Sequence, residues 1–190
     1  MPNYRNDMRS KTVSETRFVT SQIMKPSDVN LLGKVFGGAL LALIDLHAYA
    51  TASRFAGNAC VTASIDRVDF HQPIEVGELV KLVGYVNYVG RTSMEVTIEV
   101  SSENLLTGVV RQTNTARVTM VAIKDGKPVE VPRLICDTRE EKLRFLEGRL
   151  RREYRTAQEL EFDQLARAFR EAGDEELEKF FKDEKLIPEN

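Results

Sequence analysis

Residues Ala39 to Ser53 are apolar on nearly every side of a helical wheel, and the run opens directly after Gly37 and Gly38. Such a helix has no polar face to give to water, so other parts of the chain must wrap it. The candidates follow at once. Val61 to Phe70, Val80 to Val89, Ser93 to Ser101 and Val110 to Ile123 have strand composition, and Glu15 to Met24 reads as a further strand, stopped by Pro26. Met94, Val96, Ile98 and Val100 alternate strictly with polar residues, which predicts a sheet with one dry face.

The connections restrict the topology. Gly90 to Thr92 is short enough to force an antiparallel hairpin, and Lys124 to Gly126 is a further turn before Pro132. A strand, a central helix and then consecutive antiparallel strands make an α+β pattern and exclude a βαβ nucleotide-binding unit. Beyond Pro132 the texture changes. Thr138 with Glu141 and Thr156 with Glu159 match a capping box, and Asp174 follows Gly173, so three short helices are expected at about 139–155, 157–172 and 175–184. Leu143, Leu146, Leu150 and Tyr154 share one helical face, as in an appendage packed on its own domain or on a neighbouring subunit. The expected organisation is one domain over 1–136, with its core at about 15–134, and a helical extension over 137–190.

Composition narrows the partners. With 42% hydrophobic residues, 29% charged residues and a formal net charge of -2, nothing favours nucleic acid or a membrane. Cys60 and Cys136 are far apart and show no metal-ligand spacing, so they are expected as reduced thiols, with no metal site. The first residues lack the apolar core of a signal peptide, and the expected location is cytoplasmic.

Asp45 is the anomaly in the apolar helix. Its helical neighbours are Leu41, Ala42, Ala48 and Tyr49, of which only Tyr49 carries a hydrogen-bonding group. An unpartnered carboxylate there would cost several kcal/mol, on the order of 2–7 for a buried polar group. Asp45 must therefore meet a polar group from elsewhere, face a wet cleft, titrate upward, or pair across a subunit contact with a residue such as Arg54 or Arg67. Gly37 and Gly38 let a ligand approach the unpaired N–H groups at the helix start, the geometry of an oxyanion hole. Asn30, in the loop leading in, can both donate and accept.

The segment Met24 to Asp45 resembles the hallmark of the cytosolic acyl-CoA thioester hydrolase branch of the hotdog-fold thioesterases. The resemblance continues through Val61 to Glu78 and Val89 to Gly108, covering about residues 16–134. It implies a hotdog fold, a long central helix wrapped by a curved antiparallel sheet, and hydrolysis of acyl-CoA to a free acid and CoA. It also implies that two protomers build each site, with Asn30 and the Gly38 amide from one and Asp45 from the other, in a trimer of dimers.

Within that reading, Asp45 is general base or nucleophile, Asn30 orients water or the carbonyl, and the Gly38 amide holds the oxyanion. Gly37, Ser64, Arg91, Thr92 and Ser93 are the candidates for substrate and CoA contacts, Arg91 because its guanidinium suits phosphate. No cofactor is expected, since CoA is part of the substrate. His47 is expected to pack. The alternatives are a hotdog 3-hydroxyacyl-thioester dehydratase using His71, and a non-catalytic acyl-CoA sensor.

Overall fold

The computed structural model of the chain describes residues 10–66, 68, 70 and 72–182. Its elements run β1 (Lys11–Thr12), α1 (Val13–Thr16), β2 (Phe18–Ile23), a 3-10 turn at Pro26–Asp28, α2 (Gly37–Ala56), β3 (Ala59–Ile65), β4 (Leu79–Val89), β5 (Ser93–Asn104), β6 (Val109–Lys124), β7 (Lys127–Pro128), β8 (Leu134–Ile135), α3 (Arg139–Glu171) and α4 (Asp174–Lys182). The main sheet has the order β2-β4-β5-β6-β3 and is antiparallel throughout, with β7 beside β6. The fold is the expected α+β arrangement, with α2 lying against the sheet.

Packing begins on α2. Leu40, Ile44, Ala48, Ala52 and Phe55 project from one side of the helix into a core with Val80, Leu82, Val86, Val96, Ile98, Val118 and Met120 from the sheet. Each large side chain buried there contributes about 1.5–3 kcal/mol. The close approach of helix to sheet depends on Gly84 of β4, where a Cβ would stand 2.6 Å from Thr51 Oγ1 and 2.7 Å from His47 Cδ2.

Several expectations change on contact with the structure. The strand expected from Glu15 starts only at Phe18, because Thr12 and Glu15 form a capping box and turn Val13–Thr16 into a short helix. Thr12 N donates to Glu15 Oε2 at 2.7 Å and Glu15 N to Thr12 Oγ1 at 3.4 Å. The strand expected over Val61 to Phe70 ends at Ile65. Within one chain α2 is wrapped on one side only: Leu46 is 65% and Tyr49 46% exposed, because β3 is a sheet edge.

The outer face of β4 and β5 is covered too, which the alternation of Ser93 to Ser101 did not foretell. Glu95 and Thr97 are buried, and both bond Asn87: Asn87 Nδ2 donates to Glu95 Oε1 at 2.6 Å and Thr97 Oγ1 to Asn87 Oδ1 at 2.8 Å. The first turns of α3 form the cover. Phe145 meets Tyr88 edge-on at 5.0 Å, Arg144 lies over the Tyr85 ring, and Gly148 admits the helix where a Cβ would be 2.6 Å from Tyr88 Cβ. Tyr85 donates to Glu99 Oε1 at 3.0 Å; burial, then the Glu99 charge, pushes its phenol up to about 12.

The chain divides into two compact units, one ending at Gly148 and one beginning at Arg149. The first takes in the start of α3. The second consists of the rest of α3 with α4, where Phe169 and Phe180 meet edge-on at 5.0 Å. The two helices expected over 139–155 and 157–172 are one continuous helix, Arg139–Glu171. Thr138 does cap it, accepting from Glu141 N at 3.1 Å, whereas the Thr156 hydroxyl donates back to Arg152 O within the helix at 3.2 Å. With neither Gly nor Pro between Arg149 and Ala172, nothing interrupts the backbone ladder.

Candidate active site

The start of α2 lacks the side-chain cap that most helices carry. Phe36 occupies the N-cap position and supplies no capping bond, although its carbonyl accepts from Ala39 N at 2.9 Å. Of the first-turn N–H groups, those of Gly37 and Gly38 are left for whatever approaches, with the positive end of the helix dipole behind them. Gly37 and Gly38 add no side chain of their own there, and the rings of Phe36 and Phe70 lie close over them. A Cβ on Gly38 would lie 2.3 Å from the Phe36 ring, and one on Gly37 3.4 Å from Phe70.

Before this helix runs a tight turn built on Asn30. Asn30 Oδ1 accepts from Leu32 N at 2.9 Å and Lys34 N at 3.2 Å, while Asn30 N donates to Lys34 O at 2.8 Å and Gly33 sits at φ +73°. The amide oxygen is therefore committed to the turn, which fixes the orientation of the group and leaves its NH2 as the part that can serve a ligand. Asn30 and Gly37, with Lys34, Val35, Leu40, Phe70, Gln72, Pro73 and Ile74, line a cavity of about 370 Å³. Its apolar walls suit a hydrocarbon, and its polar residues are few.

Asp45 lies elsewhere. It is seven residues beyond Gly38, about 10 Å further along the helix axis, and does not line that cavity. Its partner is Thr62 of β3, whose hydroxyl donates to Asp45 Oδ1 at 2.5 Å and stands 3.4 Å from Met120 Sδ. The charge in the apolar helix is thus met by a polar group from an edge strand, not by Tyr49 or Arg54. Arg54 stacks over Phe18 at 4.9 Å, and Arg67 lies outside the described residues. Thr62 is the residue that the reading of the sequence passed over. Strand alternation would have offered it beside Ser64, but only the helix-to-strand packing says which hydroxyl meets the carboxylate.

The remaining candidates are dispersed. Ser64 follows a bulge in β3, opposite Thr119, and does not line the cavity. The turn carrying Arg91 and Thr92 joins β4 to β5; Ser93 stands opposite Val121 of β6, near the pairing of Cys60 with Ala122. That is the sheet end where α2 finishes and β3 begins, the far end from Gly37 and Gly38. Arg91 is exposed there. His47 is 3% exposed and packs as expected: Nε2 donates to Phe18 O at 3.1 Å, and Nδ1 lies 2.9 Å from Thr20 Oγ1, from which it accepts when the ring is neutral. Burial, opposed by the Phe18 bond, holds its pKa below the ordinary value. His71, the dehydratase candidate, lies outside the described residues. Among the described residues no cluster of His, Cys, Asp and Glu is arranged to hold a metal.

A central helix against an antiparallel sheet, with an open glycine start and a carboxylate further along, defines a hotdog-fold protein. The sequence profile of the Thioesterase superfamily matches residues 32–109. A Bacillus subtilis protein named as an uncharacterized acyl-CoA thioester hydrolase, YkhA, is 41% identical over 128 residues, which span 67% of this chain and 74% of that one. Among solved structures, an apo hexameric acyl-CoA thioesterase is 43% identical and superposes with a TM-score of 0.75, covering 79% of this chain and 97% of its own. The Staphylococcus aureus acyl-CoA hydrolase, solved with butyryl coenzyme A, coenzyme A and coenzyme A disulfide, is 33% identical with a TM-score of 0.75 over 85% of this chain and 99% of its own. Variants of that enzyme with a single Asn, Asp or Thr changed to Ala have also been solved. The chain belongs to the thioesterase superfamily.

Proposed function

We propose that this protein hydrolyses acyl-CoA thioesters to a free carboxylic acid and CoA, with Asp45, Asn30 and the Gly38 amide as its catalytic groups. One coincidence carries the reading. The Asn, Asp and Thr replaced in the S. aureus hydrolase are spaced by 15 and 17 residues, and the same intervals separate Asn30, Asp45 and Thr62.

In the general-base route, Asp45 takes a proton from water as the water oxygen attacks the thioester carbonyl. The Gly38 N–H and the Asn30 NH2 hold the oxyanion that forms. Collapse breaks the carbon–sulfur bond, and the departing thiolate recovers the proton from Asp45. In the nucleophilic route the Asp45 carboxylate attacks first, giving an anhydride that water opens. Thr62, donating to Oδ1, leaves Oδ2 as the working oxygen in either route.

The separation of Asn30 from Asp45 within one chain supports a site shared between two copies. Joining two chains along β3 would cover Leu46, Tyr49, Val61 and Ile65, all exposed in the single chain, and would close an open sheet edge. An antiparallel join sets the end of one α2 beside the start of the other. Asp45 of one copy then faces Asn30 and Gly38 of the next, and the Arg91–Ser93 turn comes within reach of the CoA phosphates. Three such dimers would make a hexamer.

The test is Asp45→Asn beside the natural protein on acyl-CoAs of increasing length, following free thiol. A fall in kcat of about 10²–10⁴ with CoA binding kept is the expected result; unchanged turnover, or equal loss of turnover and CoA binding, would overturn it. Oxygen-18 water in a single turnover tests for the anhydride: label enters Asp45 only if an anhydride forms and water opens it at the Asp45 carbonyl.

A further inference from the structure

The cavity beside Asn30 has two walls. One is the Asn30 turn with Val35 and the start of α2; the other is Phe70, Gln72, Pro73 and Ile74, from the connection between β3 and β4. Two bonds join them: Val35 N donates to Ile74 O at 3.0 Å, and Lys34 Nζ meets Glu75 Oε1 at 2.5 Å. The segment Pro73–Glu78 lies outside the helices and strands, so its position depends on what ties it to the sheet.

Arg111 of β6 is that tie. Its Nη2 lies 2.6 and 2.7 Å from the two Glu78 carboxylate oxygens, and its Nη1 donates to Pro73 O at 3.3 Å. Glu78 is only 4% exposed and also accepts from Glu75 N at 3.2 Å. One guanidinium thus grips both ends of the segment that carries Ile74. At its far end the segment is bonded to Met24 as well, Met24 N to Glu78 O at 3.0 Å and Gly77 N to Met24 O at 2.9 Å. A buried ion pair is no proof of a stabilising role, since apolar pairs of similar volume commonly do as well. The added bond to the carbonyl of Pro73, itself a lining residue, needs the planar fork that lysine lacks.

The geometry points to Arg111 as a positioning residue that sets acyl-chain specificity. By holding Pro73 and Ile74 at a fixed distance from α2 it fixes the width of the cavity, without touching substrate. The inference rests on the proposed acyl-CoA hydrolysis, with the acyl chain in this cavity.

Its test compares the full-length natural protein with Arg111→Lys, with the apolar pair Glu78→Leu plus Arg111→Met, and with Glu75→Gln at the exposed end of the wall. Thermal unfolding is recorded for each, and kcat and KM are measured along a series of acyl-CoAs differing by two carbons. In folded Arg111 variants, KM for the preferred chain should rise about tenfold with kcat held within about threefold, and the preference between neighbouring lengths should flatten, the scale at which a pocket tells methylenes apart. Folded variants that keep the natural chain-length profile, or that lose kcat and KM equally for every chain, overturn it. If both Arg111 variants fail to fold, Glu75→Gln decides: a flattened profile supports the inference and an unchanged one overturns it. A natural protein without turnover on any acyl-CoA sinks the functional reading and this inference together, whereas turnover with an unaltered profile sinks this inference alone.

Discussion

The two ends of α2 are built to opposite rules. At the C-terminal end almost everything is satisfied: Gly57 turns the chain at φ +66° and donates to Ser53 O at 2.9 Å, and Lys11 Nζ donates to Arg54 O at 2.9 Å and Phe55 O at 2.8 Å. Lys11 also brings a positive charge to the negative end of the dipole. At the N-terminal end the cap position holds a phenylalanine, and two glycines strip the first turn of side chains. The same helix thus has one end finished for stability and one left open. Unused stabilisation beside a cavity is what a binding site looks like in physical terms.

This contrast can be broken from either end. The largest effect is expected from Gly38→Val. The new side chain would displace the exposed Phe36 ring and close the approach to the first-turn amides, lowering kcat by about a hundredfold, the scale of losing one oxyanion donor. The unfolding midpoint should not fall, since valine is the better helix former; an equal loss of stability would argue that the glycines are there for packing.

Gly57→Ala reverses the pattern. An alanine in the left-handed region costs about 1–2 kcal/mol, read as a lower midpoint in urea, with kcat unchanged. Lys11→Met should act in the same direction but less, about 0.5–1 kcal/mol, and its effect should shrink as salt rises only in so far as the charge matters beyond the two hydrogen bonds. A loss of activity without loss of stability in either variant would erase the distinction between the ends.

The smallest effect concerns the middle of the helix, where His47 ties α2 to β2. Its pKa is lowered in the folded protein, so the unfolded chain takes up the proton first as pH falls below about 6.5. The stability contributed by the neutral ring is complete above that pH and is lost progressively below it. Unfolding midpoints measured from pH 7.5 to 5 should therefore decline, and His47→Gln should flatten that part of the curve.

The contrast between the ends also shows which signals were legible. Gly37, Gly38 and Asp45 stood out in the sequence because they break the local pattern of an apolar helix, and the β4–β5 hairpin was legible because three residues, Gly90 to Thr92, leave the chain no other course. Thr12 and Glu15 carry the same capping signal as Thr138 and Glu141, but Glu15 also opens the expected strand, where the β-like residues that follow mask the box. At Thr156 the error ran the other way, a capping pattern without a helix break beside it.

The sequence by itself determined the α+β class, the position of the central helix and the residue types at its open end, because these follow from periodicity and from local backbone chemistry. Only the tertiary structure decided that Asp45 bonds Thr62 and that Arg111 reaches Pro73 and Glu78. Each of these joins elements far apart in the chain, and a side chain's partner there depends on which strand registers beside which, something that no short-range pattern encodes.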